Sequence, residues 1–236
     1  MIKQIKSWEK YSVYFLELKK KLTLVMVLFL VGALLGVIFC QDILSSIIHW
    51  YNFSGVNLVM TSPGQVFEIA TYSGILFGCI LASPVLIYEL FCFIRPALTK
   101  TEQKLTITLL PIIIFLFFIG AAFGIWMSQS LITLYSNVSM GFKVNNIWDV
   151  QKFFSLLSIM AILCGFIFQM PVILTWLMRL KVVNRKTLAN NRKYVYAALV
   201  IITVLMPPPD LLSDLIIFLP MAILFEGTML FNLGQK

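Results

Sequence analysis

The side chains in this sequence with the most chemistry to offer are its acids, because they are few and stand among long apolar runs. Asp and Glu number 10 in 236 residues, against 18 Lys and Arg. Glu17, Glu89 and Glu102 lie at or near the ends of apolar stretches, and Glu226 lies inside the last one. Asp210 and Asp214 flank a proline-rich turn, and Gln169 adds an uncharged polar group to a fourth stretch. A carboxylate or amide at membrane depth costs about 2 kcal/mol or more, so such groups mark candidate binding or coupling sites. Glu102 stands out within FIRPALTKTEQKL, residues 93–105, where it is set among Arg95, Lys100 and Lys104.

Enzyme chemistry lacks its parts. His49 is the only histidine, which removes paired-histidine haem ligation and histidine-based zinc sites. No Gly-rich loop ending in Lys-Ser or Lys-Thr is present to cradle ATP phosphates. Cys40, Cys79, Cys92 and Cys164 have no C-x-x-C spacing and read as small apolar packing groups. The sequence therefore predicts a binding or transport protein, not an enzyme, with no metal or cofactor.

The elements that must position these groups are membrane helices. Apolar residues make up 60% of the chain and charged residues 12%, and the mean hydropathy is +0.95, values far from those of soluble domains. Charged residues fill the first 21 positions and apolar runs then recur to the end, so nothing reads as a cleaved secretory signal. Six runs are apolar enough to be spans, over residues 22–40, 69–91, 105–127, 153–176, 194–206 and 215–231. No period-2 alternation is present, which favours helices over a barrel. The fifth span, at about 1.5 Å per residue, reaches only about 20 Å, and the sixth is barely long enough. Short adjacent spans imply a thinned bilayer or a recess on one side.

All the basic residues except Lys143 and Lys152 fall in the N-terminal segment, the second-to-third and fourth-to-fifth connections, and the C-terminus. The positive-inside rule places these on one side, called cis here, with both termini cytoplasmic or on the matrix or stromal side of an organelle. The +8 charge thus calls for no nucleic acid. The cis N-terminal segment, about residues 7–21, carries the apolar stripe Trp8, Tyr11, Phe15, Leu18 and Leu22 and is predicted to lie as an amphipathic helix at the interface. The trans connections, 41–68 and 128–152, hold Trp50, Tyr51, Tyr135 and Trp148 as an expected aromatic belt. With no repeat or linker, residues 1–236 read as a single all-α integral membrane domain of six helices.

Each acid also has a purely structural role open to it. Thr99-Lys100-Thr101-Glu102 fits a capping box. Glu17 precedes Lys21 by four residues, the favourable order for a pair on a helix surface. Glu89, Gln169 and Glu226 could simply hydrogen-bond between helices.

Three segments nevertheless resemble one family. YFLELKKKL (residues 14–22), SPVLIYELFCFIRPALTKTEQK (83–104) and PPPDLLSDLIIFLPMAILFE (207–226) are similar, in order and spacing, to the TatC family of twin-arginine translocases. The resemblance implies a receptor in a translocase that moves folded proteins across a membrane on the proton-motive force without ATP. Its substrates would carry a signal peptide with two adjacent arginines, read by Glu17 and Glu102, with Phe93 and Pro96 shaping the site. A guanidinium offers a planar fork to a carboxylate that an ammonium cannot match. Lys19 and Lys20, with Lys21, Lys100 and Lys104, would repel peptides that are merely basic. The implied partners are single-span translocase subunits of the TatA/TatB type, docking near Met206, Asp210 and Asp214, with Glu226 the acid of the last span. Membrane lipid surrounds the assembly, and an oligomer is expected.

The sequence departs from the family pattern in places. Tyr14 stands where histidine is usual, and Lys19 and Lys21 where arginine is frequent. Gln169 replaces a common glutamate and Glu89 a common glutamine, as if the acid had moved between neighbouring helices. Pro207 and Asp214 replace a threonine and a glutamine at the turn. Two rival readings are a secondary solute transporter and a structural subunit of an organellar membrane complex. The first lacks inverted repeats, and the second gives no reason for two acids set among lysines.

Overall fold

A computed structural model describes residues 2–51, 57–94, 99–141, 147–179, 182–207 and 210–232, although only the backbone is described at residues 2–18, 20, 57, 91, 93, 94, 140, 179 and several positions between 101 and 109. Nine helices and two short strands follow in chain order among these residues. They are α1 (Ile2–Ile38), α2 (Cys40–Trp50), β1 (Asn57–Val59), α3 (Gln65–Ile94), α4 (Lys100–Gly141), β2 (Ile147–Asp149), α5 (Val150–Ile167), α6 (Met170–Arg179), α7 (Arg185–Asn190), α8 (Arg192–Val204) and α9 (Leu211–Phe231).

Among the described residues, five stretches are long and apolar enough to cross a membrane: Lys21–Ile38, Gln65–Leu90, Leu110–Ser139, Val150–Met178 and Leu211–Phe231. The stretch expected as a fifth span of six is α8, whose 13 residues rise only about 20 Å. Large apolar side chains such as Met26, Phe115, Leu219 and Ile223 are more than half exposed on the outer faces, the arrangement of a body whose solvent is hydrocarbon.

Small residues decide the helix pairing. In lipid the attraction between helices is close packing, which requires backbones to approach. Gly32 and Gly36 of α1 meet Gly74 and Gly78 of α3, and a Cβ on Gly36 would run into the Ser73 carbonyl. The Ser73 hydroxyl donates to the Gly36 carbonyl at 2.7 Å, so the contact is hydrogen-bonded as well as tight. α4 and α5 repeat the device, with Gly124 against the Met160 backbone and Gly165 under the Phe117 ring. α1 is continuous through both the expected amphipathic segment and the first span.

Three expectations about the elements change. The fourth span, expected as one helix over 153–176, is two helices separated at Phe168 and Gln169. Pro171 has no N–H to give to the Ile167 carbonyl, so the ladder breaks there. The Gln169 side-chain amide donates to the Gly165 carbonyl at 3.2 Å, supplying one bond at the gap. Second, the expected loop from residue 128 onward is helical as far as Gly141, which makes α4 42 residues long, about 63 Å. Third, the aromatic belt is not uniform. Trp50 is exposed, whereas Tyr51 is 2% exposed in a cluster with Ile69, Ile132 and Phe153. The Tyr51 hydroxyl contacts the Ile125 carbonyl at 2.7 Å and Ser128 Oγ at 2.9 Å. Burial pushes its phenol up to about 12, with the Ser128 bond working the other way.

The trans connections are tied by a parallel ladder that pairs Asn57 with Ile147 and Val59 with Asp149. Asp149 locks it: Oδ2 accepts from Thr61 Oγ1 at 2.7 Å and Gln65 Nε2 at 2.6 Å, and Oδ1 accepts from the Gln151 amide at 2.9 Å as the cap of α5. The Thr61 bond first, then those from Gln65 and the α5 amides, hold this carboxyl below its ordinary 3.8 against the opposing effect of burial.

Candidate functional site

At the cis end, the expected arginine-reading residues fall in α1, at the close of α3 and in the opening turn of α4. α1 passes through Glu17 and Lys19, α3 ends just beyond Phe93, and α4 starts at Lys100. Thr99 directly precedes that helix and its carbonyl accepts from the Gln103 amide at 2.9 Å, so Thr99 occupies the N-cap position and Glu102 the third helical position, as the capping-box reading requires. Lys19 is exposed. The side chains of Glu17, Lys20, Phe93 and Glu102, and Pro96 entirely, lie outside the described residues.

The second cis-side group is a clasp around the end of α9. Glu226 Oε1 accepts from the Tyr196 hydroxyl at 2.6 Å and pairs with Arg192 at 3.2 Å, joining α9 to α8. The interhelical hydrogen bond, one role open to Glu226, is therefore present. Both partners are partly exposed, at 46% and 32%, so the ion pair itself contributes at most about 1 kcal/mol. Arg185 Nε donates to the Met229 carbonyl at 3.1 Å, and Asn232 Nδ2 to Thr175 Oγ1 at 3.0 Å, so α6 and α7 also hold the C-terminal turn of α9.

The trans-side group gathers around Asp210. This residue caps α9, with Oδ2 accepting from the Ser213 amide at 2.9 Å. Its Oδ1 accepts from the Tyr135 hydroxyl at 2.6 Å and the Ser213 hydroxyl at 2.7 Å. Burial alone would raise this carboxyl, but those donors outweigh it and leave the group below its ordinary 3.8. Tyr135 in turn stacks on Trp148, with ring centroids 6.2 Å apart. Tyr135 thus serves as the tie between the trans end of α4 and the turn before α9, not as a free interfacial aromatic. No sequence spacing connects residues 135 and 210, and only the fold reveals the pair.

The remaining polar candidates are unequal. Asp214 Oδ1, Glu89 Oε2 and Gln169 Oε1 are buried and have no hydrogen-bond partner among the described residues. Gln169 is 5% exposed. Met206, expected on a docking face, points inward: it is 3% exposed and packs with Leu199, Ile217 and Met221. The open face of that hairpin is presented instead by Leu205, Leu211 and Leu215, each more than 60% exposed. The reason is geometric: Met206 lies in the turn just after α8, its amide donating to the Thr203 carbonyl at 2.9 Å, and it packs toward α9.

Among the described residues no group of three or more His, Cys, Asp or Glu is placed to hold a metal ion. Among the described carboxylates, Asp210 is held in a helix cap and Glu226 in an ion pair.

Comparison with known proteins identifies the architecture. Residues 14–220 match the family model described as Sec-independent protein translocase protein (TatC). The chain is 32% identical over 220 residues to the Sec-independent protein translocase protein TatCy of Bacillus subtilis (strain 168), covering 92% of this chain and 85% of that protein. It is 28% identical over 221 residues to the chloroplastic Sec-independent protein translocase protein TATC of Arabidopsis thaliana, covering 89% of this chain and 62% of that protein. A crystal structure of the twin arginine translocase receptor TatC superposes with a TM-score of 0.79 at 26% identity, over 92% of this chain and 96% of the other.

Proposed function

This chain belongs to the TatC family of Sec-independent protein translocase proteins, and from that premise we propose that it is the signal-peptide receptor and core subunit of a twin-arginine translocase. In this reading it binds the paired arginines of folded substrates' signal peptides at Glu17 and Glu102, and the assembly moves those substrates on the proton-motive force. Phe93 and Pro96 shape the pocket, and Lys19 and Lys20 filter out peptides that are basic without the right geometry. The observation that carries this is positional. Two acids stand on the basic side of the chain, one in α1 and one at the third residue of α4, in segments that match the family from residue 14 onward.

The capping position supports the role of Glu102. A residue fixed in the first turn of a helix has a defined direction, and the amides there favour a negative charge. A fixed, ionised carboxylate is the group that accepts a guanidinium fork in two parallel bonds. The membrane arrangement belongs to the same proposal: six helices with both termini on the basic side, in a bacterial inner membrane or the corresponding mitochondrial or thylakoid membrane. α8 would then be a short fifth span, with the bilayer thinned around α8 and α9. Single-span subunits of the TatA/TatB type dock on that hairpin around Asp210 and Asp214, on the exposed leucines beside the inward-facing Met206.

The test is photo-crosslinking of a signal peptide carrying paired arginines to the full chain in membranes, with a paired-lysine peptide as control. Glu102→Gln and Glu17→Ala are each expected to abolish arginine-dependent crosslinking while insertion and folding persist. Retention of full crosslinking in both variants overturns the site, and equal crosslinking of the lysine peptide overturns the arginine reading.

A further inference from the structure

An apolar groove of about 500 Å³ runs between α1 and α3, closed on one side by α5. Its walls include Leu22, Met26 and Phe29 of α1, Ala82 and Leu86 of α3, and Phe166 of α5. The groove descends along α1 from Leu22 to Phe29, which is about 10 Å of depth. The Lys21–Ile38 and Gln65–Leu90 spans both reach their cis border at its upper end, so its mouth opens at the level of lipid headgroups.

Helical spacing sets two opposite charges one turn above the residues that line the groove. Lys19 lies one turn above Leu22, three residues before it and seven before Met26, and is exposed. Glu89 lies one turn above Leu86, three residues after it and seven after Ala82, and its Oε2 is buried without a hydrogen-bond partner among the described residues. Gln169, three residues beyond Phe166 on the third wall, adds a second buried acceptor, Oε1, in the same condition. A buried acceptor left unpaired is costly, so it points to a donor that the described residues do not supply.

We propose that this groove is a binding site for a phospholipid whose headgroup carries both a phosphate and a primary ammonium. One acyl chain fills the apolar groove, the phosphate meets Lys19, and the ammonium donates to Glu89 and Gln169. The volume, more than three times that of a cavity that takes up benzene, suits a chain rather than a small solute. The paired charges suit a zwitterion rather than an anionic lipid, whose headgroup would leave Glu89 facing net negative charge. A quaternary headgroup such as choline has no N–H and cannot satisfy the two acceptors. The inference shares Lys19 with the proposed peptide site but requires neither Glu17 nor Glu102.

The experiment reconstitutes the full chain in phosphatidylglycerol vesicles doped with photoactivatable phosphatidylethanolamine or phosphatidylcholine of identical acyl chains, and quantifies label on α1 and α3 by mass spectrometry. The ethanolamine probe is expected to label the groove roughly tenfold more than the choline probe, the factor of one charge-assisted hydrogen bond. Glu89→Gln should bring the ratio close to one while labelling persists, Lys19→Gln should lower labelling by both probes, and Leu86→Trp should exclude both. Helicity and monodisperse elution in detergent check that each variant is folded. Equal labelling of the wild type by both probes, or a preference that survives Glu89→Gln, overturns the headgroup assignment. Labelling unchanged by Leu86→Trp, or displacement of both probes by an apolar peptide, overturns lipid occupancy of the groove.

Discussion

Replacing Gly36 by alanine tests the helix packing most directly. The added Cβ would collide with the Ser73 carbonyl and would sit 2.9 Å from the Gly74 Cα, both backbone atoms that cannot rotate away. α1 and α3 must therefore separate, stretching the bond from Ser73 Oγ to the Gly36 carbonyl, now 2.7 Å. Overpacking of this kind costs about 1–3 kcal/mol, and an interhelical hydrogen bond in a membrane is worth about 0.6 kcal/mol. Against this, alanine recovers close to 1 kcal/mol of helix propensity relative to glycine. The net expectation is a loss of about 0.6–2.6 kcal/mol, roughly a three- to 80-fold change in the folded-to-unfolded ratio. Gly227 of α9 is the matched control, since a Cβ there meets nothing within 4 Å, and Gly227→Ala should be neutral or slightly stabilising. Unfolding by graded sodium dodecyl sulfate in mixed micelles, followed by helicity, measures both variants. If Gly36→Ala falls within about 0.5 kcal/mol of Gly227→Ala, the close approach of α1 and α3 is not what holds them together.

Tyr135→Phe removes the hydroxyl shared by Asp210 and Ser213 while keeping the ring on Trp148; the expected loss is about 1.5–3 kcal/mol in the same assay, the range for a bond to a charged acceptor. Acidification should loosen the trans side. Asp149 and Asp210 both have folded-state values below 3.8, so their contribution is complete above that pH and is lost as pH falls through the depressed values. Unfolding midpoints measured between neutral pH and pH 3 should drop only at the acid end, and Thr61→Val should shrink the share due to Asp149, whose largest stabilising bond it removes.

The spans are legible in the sequence because hydrocarbon imposes one simple demand, a long apolar run, and 60% apolar composition meets it repeatedly. The misreadings have the same origin. Around Ser128, Gln129 and Ser130 the apolar run stops, which reads as a loop, yet the hydroxyls of Ser128 and Ser130 bond back to carbonyls of their own helix and α4 continues. The break at Gln169 is hidden because both sides of it are apolar, and only Pro171 betrays it. The three-residue ladder between β1 and β2 joins residues about 90 positions apart, too short a signal for any periodicity. Within the sites, residue type points to the acids, and Glu226 bonds across helices as its position allows. The partner of Asp210 is invisible because an interfacial tyrosine and a capping tyrosine are the same letter in the sequence, and the inward direction of Met206 is hidden because the turn after α8 sets it.

The length of α4 has a mechanical consequence. Its first turn holds Glu102, and the far part of the same helix carries Ser128 and Tyr135, the anchor points for Tyr51 and for the turn before α9. A rod of about 63 Å tilted by 5° displaces one end relative to the other by roughly 5 Å. A small rotation at one membrane surface is thereby a displacement of a whole side chain's width at the other, delivered to two separate segments at once. Pro111, inside the rod nine residues beyond Glu102, is the point where such a tilt would be taken up as a bend before it travels.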